Sequence, residues 1–261
     1  LRQPGETLGD IRAQFAAYEQ AERRLQRILA EEGIEDLDAL AEEIFVRSER
    51  SMREAIAAAP DGEVTDEVTA DGFEHPVTIR LRLTIQGDGL TLDFTGTDPQ
   101  IARPVNSPLN FTRAYSNYAV KCAFDPMTPN NDGSFRPIRL IAPEGCIVNP
   151  RRPAPVWGRH LTGHYLPMLV LTALGRLIPD RVIAECGSPL WNVYFTGEHE
   201  DGRPYVRMFF MNGGHGAGPR RDGPACLSFP SNVATQPVEQ FENGMPMLIT
   251  EKELIPDSGG A

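Results

Sequence analysis

No stretch of this 261-residue chain approaches the roughly 18 consecutive apolar residues that a membrane span requires, and its opening Leu1-Arg2-Gln3-Pro4-Gly5 has no signal-peptide apolar core. A soluble, cytoplasmic protein without a membrane partner is expected. Basic residues are also in short supply, with 25 Lys and Arg against 36 Asp and Glu, a net charge of −11. A surface of that sign repels a phosphate backbone, which argues against a nucleic-acid partner. Cysteine is scarce too. Cys122, Cys146, Cys186 and Cys226 lie tens of residues apart with no C-x-x-C pair, which fits neither a zinc site nor a disulfide scaffold, and buried free thiols are the expectation.

Several catalytic signatures are missing as well. No G-x-x-x-x-G-K-[ST] run is present to surround a nucleotide phosphate, and no G-x-S-x-G elbow to present a serine nucleophile. His160 and His164 have the i, i+4 spacing that can bring two imidazoles to one metal. However, Leu161 stands where the H-E-x-x-H motif needs its glutamate, so no metal ligand is assigned. An apolar fraction of 41% and a charged fraction of 23% are ordinary for a globular chain and exclude disorder as the default state.

Apolar residues recur at helical spacing through Ile11, Phe15, Tyr18, Leu25, Ile28 and Leu29, with Asp10 expected to cap the first turn and Gly33 to end the helix. A second helix is expected from about Asp38 to Ala59, with Leu40, Ile44, Phe45, Met52 and Ile56 on one stripe and Pro60 closing it. Residues 1–60 therefore read as a helical hairpin. Complete alternation over Val77–Gln86, positive-φ turn residues at Gly87-Asp88-Gly89 and resumed alternation at Leu90, Leu92 and Phe94 predict an antiparallel hairpin. A second hairpin is expected to join Trp191–Thr196 with Tyr205–Met211, and a helix to cover Thr162–Leu177. Most of the 24 Gly and 23 Pro fall after residue 95, predicting long, fixed loops. The fold class is α+β, with the helical hairpin followed over 61–261 by a mixed, largely antiparallel sheet with helices.

Candidate chemistry sits in the irregular segments. Asn212-Gly213-Gly214-His215-Gly216 follows a predicted strand and lacks dinucleotide-fingerprint spacing. Such a loop either brings backbone N–H donors close to a ligand or permits a tight crossing of strands, and the residues leave both readings open. Asp93–Asp98, Pro104–Pro108 and Asn130–Ile138 are polar loops stiffened by Pro and Gly, places suited to preorganised groups and equally to ordinary turns.

Together these segments resemble the B-type subunit shared by ATP-dependent N-methylhydantoinases, 5-oxoprolinases and acetone or acetophenone carboxylases. The resemblance runs in order through Gly9-Asp10-Ile11-Arg12-Ala13-Gln14, Asp93-Phe94-Thr95-Gly96-Thr97, Val105-Asn106-Ser107-Pro108, Phe135-Arg136-Pro137-Ile138, Pro143-Glu144-Gly145, Gly213-Gly214-His215-Gly216-Ala217, Pro237-Val238-Glu239 and Pro256-Asp257-Ser258-Gly259-Gly260. It departs at His160-Leu161-Thr162-Gly163-His164 and at Glu19-Gln20-Ala21-Glu22. It implies a portion of a longer catalytic subunit whose N-terminal block and glycine-rich tail lie outside this sequence, an expectation to which the missing initiator Met conforms.

By the same resemblance, an A-type subunit binds ATP and Mg and phosphorylates a carbonyl or enolate oxygen, while a divalent metal belongs to the N-terminal block. No cofactor is expected in this portion, which alone should be inactive. The implied function is a component of an ATP-dependent cyclic-amide hydrolase, a hetero-oligomer in which this chain helps form the pocket where the activated carbonyl reacts. A subunit of an ATP-dependent ketone carboxylase and a non-catalytic assembly subunit are the alternatives. His215, Arg136 and Asn106 are the candidate catalytic residues, His215 as a proton relay and Arg136 as an anion clamp. Asn212, Gly213, Gly214, Gly216, Glu144, Asp222 and Glu239 are the candidates for binding a cyclic amide or ketone, the Gly213–Gly216 amides by stabilising an oxyanion.

Overall fold

The computed structural model describes residues 4–186, 191–233, 235–253 and 256. The chain divides into two compact units, residues up to Arg47 and residues from Ser48 onward. The first unit is helical. Helix α1 spans Pro4–Glu32, so Asp10 lies inside the helix and not at its cap. Gly33 at φ +63° ends it, and α2 follows over Leu37–Ala57, with the Asp36 carboxylate accepting from the Ala39 N–H at 3.0 Å. Along α1 the apolar stripe Leu8, Ile11, Phe15, Tyr18, Leu25 and Ile28 stays exposed.

The second unit contains the core. Strands β1 (Gly62–Ala70), β2 (Val77–Gln86), β3 (Gly89–Asp93) and β4 (Ile138–Ile141) form one sheet in that order, antiparallel except for the parallel β3–β4 pair. A parallel neighbour needs a crossover, and the long connection from β3 to β4 contains helix α3 (Leu109–Phe124). The inner face of β2, Val77, Ile79, Leu81, Leu83 and Ile85, is buried with Leu90, Leu92 and Phe94 in one apolar cluster that also takes in Met52 and Ile56 of α2, Val120 of α3 and Leu166, Val170 and Leu174. The outer face is charged. Arg82 meets the buried Asp93 carboxylate at 2.5 Å, and the Thr95 N–H donates to the other carboxylate oxygen. Burial opposes ionisation of Asp93, but the Thr95 and Arg82 hydrogen bonds outweigh it and hold the carboxyl below its ordinary range.

The expected Thr162–Leu177 helix forms as two pieces, α4 (Arg159–Gly163) and α5 (Tyr165–Gly175). Pro167 accounts for the break, because it has no N–H to give to the carbonyl of Gly163 and its ring crowds that position. A separate two-stranded antiparallel sheet pairs β5 (Trp191–Glu198) with β6 (Pro204–Met211), followed by loops and the short helix α6 (Val238–Glu242). The α+β fold class, with its initial helices and largely antiparallel mixed sheet, is the one expected. Cys146 and Cys186 are buried and Cys122 half-buried, but Cys226 is exposed at φ +54°, so the expectation of four buried thiols is corrected there. No helix of the described residues is long and apolar enough to cross a membrane.

Candidate functional site

A cavity of about 450 Å³ opens at the Val77 end of β2. Val77 and Ile79 form its floor and Ile101, Val105 and Ile147 one wall. Leu161, Thr162, His164 and Tyr165 from the α4–α5 junction form another, and Phe73, Trp191 and Asn192 stand at its rim. The volume and the mostly apolar lining, with a few polar groups, are those of a small-molecule site.

Local sequence fixes each wall. Gly72, at φ +67°, turns the chain after β1 where a Cβ would strike the His75 carbonyl at 1.9 Å, so the turn that presents Phe73 requires glycine. The Ile101–Val105 wall is held from behind by Asn106, whose side chain is fully buried. Its Oδ1 accepts from the Ile101 N–H at 3.0 Å, while Nδ2 donates to the carbonyls of Ile101, Arg103 and Pro155 at 2.8, 3.0 and 2.9 Å. Across from it, Thr162 donates to the Val105 carbonyl at 2.6 Å, and Gly163 lets α4 close on Phe111, where a Cβ would come within 2.2 Å of the ring.

His164 is placed by the interruption between α4 and α5. It is only 4% exposed, its ring lies 6.0 Å from His160 and 5.9 Å from Tyr115, and among the described residues no hydrogen bond to its ring nitrogens is formed. Burial, with the neighbouring His160 adding to it, pushes the His164 pKa down to about 4, so near neutrality the imidazole is uncharged. A neutral imidazole offers one N–H donor and one acceptor, which suits an amide. Among the described residues no group of three or more His, Cys, Asp or Glu side chains is arranged to hold a metal ion. The divalent metal implied by the resemblance therefore finds no ligand set in these residues.

The sequence candidates are dispersed. Asn212 lies closest by topology, since Met211 before it pairs with Trp191 at the cavity rim. Its amide donates to the Val233 carbonyl at 3.1 Å and to Thr235 Oγ1 at 3.0 Å. His215 packs edge-on to Phe229 at 5.3 Å, and its Nδ1 lies 2.8 Å from the Gly216 carbonyl. A carbonyl only accepts, so Nδ1 is the donor in this contact. Of the loop glycines, Gly213 is half-buried and Gly214 is exposed, with the Pro224 carbonyl oxygen 3.9 Å from where a Cβ would stand. Gly216 is wedged against the Ala184 backbone, where a Cβ would lie 1.9 Å from the carbonyl oxygen, and its N–H donates to Cys186 Sγ at 3.3 Å.

Arg136 sits beyond the other end of the sheet, against Glu49 at 3.4 Å, in a group that includes Arg53 and Asp88. Nine residues of β2 at about 3.4 Å each put roughly 30 Å of strand between that end and Val77. Glu144 pairs with Arg151 at 3.5 Å on an exposed turn, Asp222 is exposed in a loop, and Glu239 is exposed in the first turn of α6. His164 as a cavity residue, Trp191 and Phe73 were not among the sequence candidates. The available signal was the proline three residues after a histidine inside an apolar helical run, which marks a broken helix with a polar group at the break.

The whole chain, residues 1–261, matches the family model described as hydantoinase B/oxoprolinase. The chain belongs to that family. It is 33% identical to a protein of Pseudomonas sp. (strain NS671) named as the B-type subunit of a D-/L-hydantoinase, over 97% of this chain and 45% of that one. It is 27% identical to 5-oxoprolinase 1 of Arabidopsis thaliana, over 98% of this chain and 20% of the relative. The crystal structure of ATP-dependent caprolactamase from Pseudomonas jessenii superposes with a TM-score of 0.86 at 24% identity, covering 98% of this chain and 46% of that one, which establishes the fold. This family member thus spans about half the length, or less, of the relatives it matches.

Proposed function

We propose that this chain is part of an ATP-dependent cyclic-amide hydrolase of the hydantoinase and 5-oxoprolinase type, working with an A-type subunit that binds ATP and Mg. The observation that carries the reading is the family match over all 261 residues, together with relatives whose names share one substrate chemistry, an amide closed into a ring. An amide carbonyl is a poor electrophile, and transfer of phosphate to its oxygen by the partner creates a leaving group that lets water complete C–N cleavage at neutral pH. The divalent metal that the resemblance implies is assigned to another part of the complex, and no step here passes through it.

In this reading the cavity beside His164 holds the ring. Its apolar walls strip water from the amide, and the neutral imidazole orients it by one hydrogen bond. A pKa near 4 makes His164 a weak base at neutral pH, so its part is to bind and position the amide. Trp191 and Phe73 cover the ring at the rim.

The test is a substrate panel on the full-length subunit purified with its A-type partner, following ATP turnover with hydantoin, 5-oxoproline, 2-pyrrolidinone and acetophenone plus bicarbonate. ATP hydrolysis that depends on a cyclic amide and yields the ring-opened acid is expected. Turnover with the ketone alone would replace this reading with the carboxylase one, and no coupled turnover would leave an assembly role.

A further inference from the structure

The charge of the cavity lining carries a conclusion about substrate class. Among the described residues that line it there is no arginine or lysine, and the ionisable side chains are those of Asp71, His164 and Tyr165. The guanidinium groups nearest in sequence to the lining have other partners: Arg80, beside Ile79 but on the opposite face of β2, meets Glu67 at 3.1 Å and Asp98 at 3.2 Å. Arg103 lies over the Phe73 ring at 5.4 Å and donates to Glu74 at 3.0 Å, while Arg159 lies over the Phe111 ring at 5.3 Å. A substrate carboxylate entering this space would be desolvated with no cation among the described lining residues to receive it and with Asp71 nearby. Aromatic faces at the rim offer the opposite environment, a surface for an apolar substituent.

We propose that this cavity selects uncharged cyclic amides bearing an apolar substituent and rejects cyclic amides that carry a carboxylate. The proposal rests on the assignment of the cavity as the cyclic-amide site and adds the charge and polarity of the substrate. It separates this chain from any relative that acts on 5-oxoproline, whose ring bears a carboxylate. The decisive pair is 2-pyrrolidinone and 5-oxoproline, which have the same ring and differ only in that group. 5-Benzylhydantoin and hydantoin-5-acetic acid extend the comparison to the substituent.

With the full-length subunit and its A-type partner, kcat/KM is expected to favour the uncharged member of each pair by on the order of 100-fold, the effect of burying an unpaired carboxylate. Leu161→Arg places a cation on the wall at a residue already 42% exposed, so the fold tolerates it, and the ratio is expected to narrow through a gain for the acids. Equal or better use of the acids by the natural enzyme overturns the proposal, as does an unchanged ratio in folded Leu161→Arg.

A second readout separates failure of this proposal from failure of the hydrolase reading. With 5-fluorotryptophan incorporated into the full-length subunit, the fluorine NMR resonance that disappears in Trp191→Phe reports occupancy of the cavity without turnover. A saturable shift of that resonance by 5-benzylhydantoin, absent with hydantoin-5-acetic acid, upholds the selectivity even if no cyclic amide is hydrolysed. A shift by both alike, or by neither, overturns it.

Discussion

Buried His164 makes folding stability depend on pH in a window where few other groups titrate. An unfolded chain takes up a proton on this imidazole as the pH falls through about 6.5, whereas the native protein resists until about 4. The unfolded state therefore binds more protons across that interval. Stability is complete above pH 6.5, declines as the pH falls, and loses nothing further to this residue below about 4. Between pH 8 and pH 5 the displacement corresponds to about 2 kcal/mol. His160, displaced in the same direction by burial and by the charge of Arg159, adds to the slope. The carboxyl groups held low by their partners, Glu49, Asp93 and Asp125, lose their contribution only below their ordinary values of 4.5 and 3.8, outside the window. Urea unfolding midpoints at pH 8, 7, 6 and 5 for wild type and His164→Gln isolate the term, because everything common to both proteins cancels in the difference of slopes. Wild type is expected to lose about 2 kcal/mol more than the variant over that range. Parallel profiles would refute the reasoning, since they would mean that His164 is not buried in the uncharged form.

Two further outcomes test how the loops are held. Gly216→Ala drives a Cβ into the Ala184 carbonyl and should cost at least about 2 kcal/mol in chemical denaturation, whereas Gly214→Ala, with only open space and a distant Pro224 carbonyl before it, should change stability by less than about 0.5 kcal/mol. Equal effects at the two positions would contradict the packing of the loop. Asn106→Asp points a carboxylate oxygen at three carbonyls that now receive hydrogen bonds, so a loss of at least about 3 kcal/mol is expected; a melting temperature within a degree of wild type would show that the Ile101–Val105 wall does not depend on that side chain.

Strand β2 and the β5–β6 hairpin were legible because their pattern comes from local geometry: alternating side chains point to opposite faces, and glycines at positive φ close the turns. The family was legible for a related reason: several of its motifs, among them Thr95-Gly96-Thr97 and Pro143-Glu144-Gly145, contain turns in which glycine takes a positive φ. Strand β1 was harder, because Gly62–Ala70 is an edge strand of alternating half-buried and exposed residues that include Glu63, Asp66 and Glu67. It reads as a strand only once β2 is beside it. The sequence by itself thus determined the α+β class, the main hairpins and the polar loops, all of which follow from short-range sterics and hydrophobic spacing. Only the tertiary structure decided which loops face a cavity and which merely hold the chain together. Asn106, a credible catalytic amide in sequence, spends its hydrogen bonds on the backbone, while His164, in sequence one of a histidine pair, becomes the neutral imidazole of the cavity wall. The physical reason is that burial and hydrogen-bond partnership depend on residues far along the chain, as Pro155 lies 49 positions from Asn106 and Val105 lies 57 from Thr162, and no local pattern encodes such contacts.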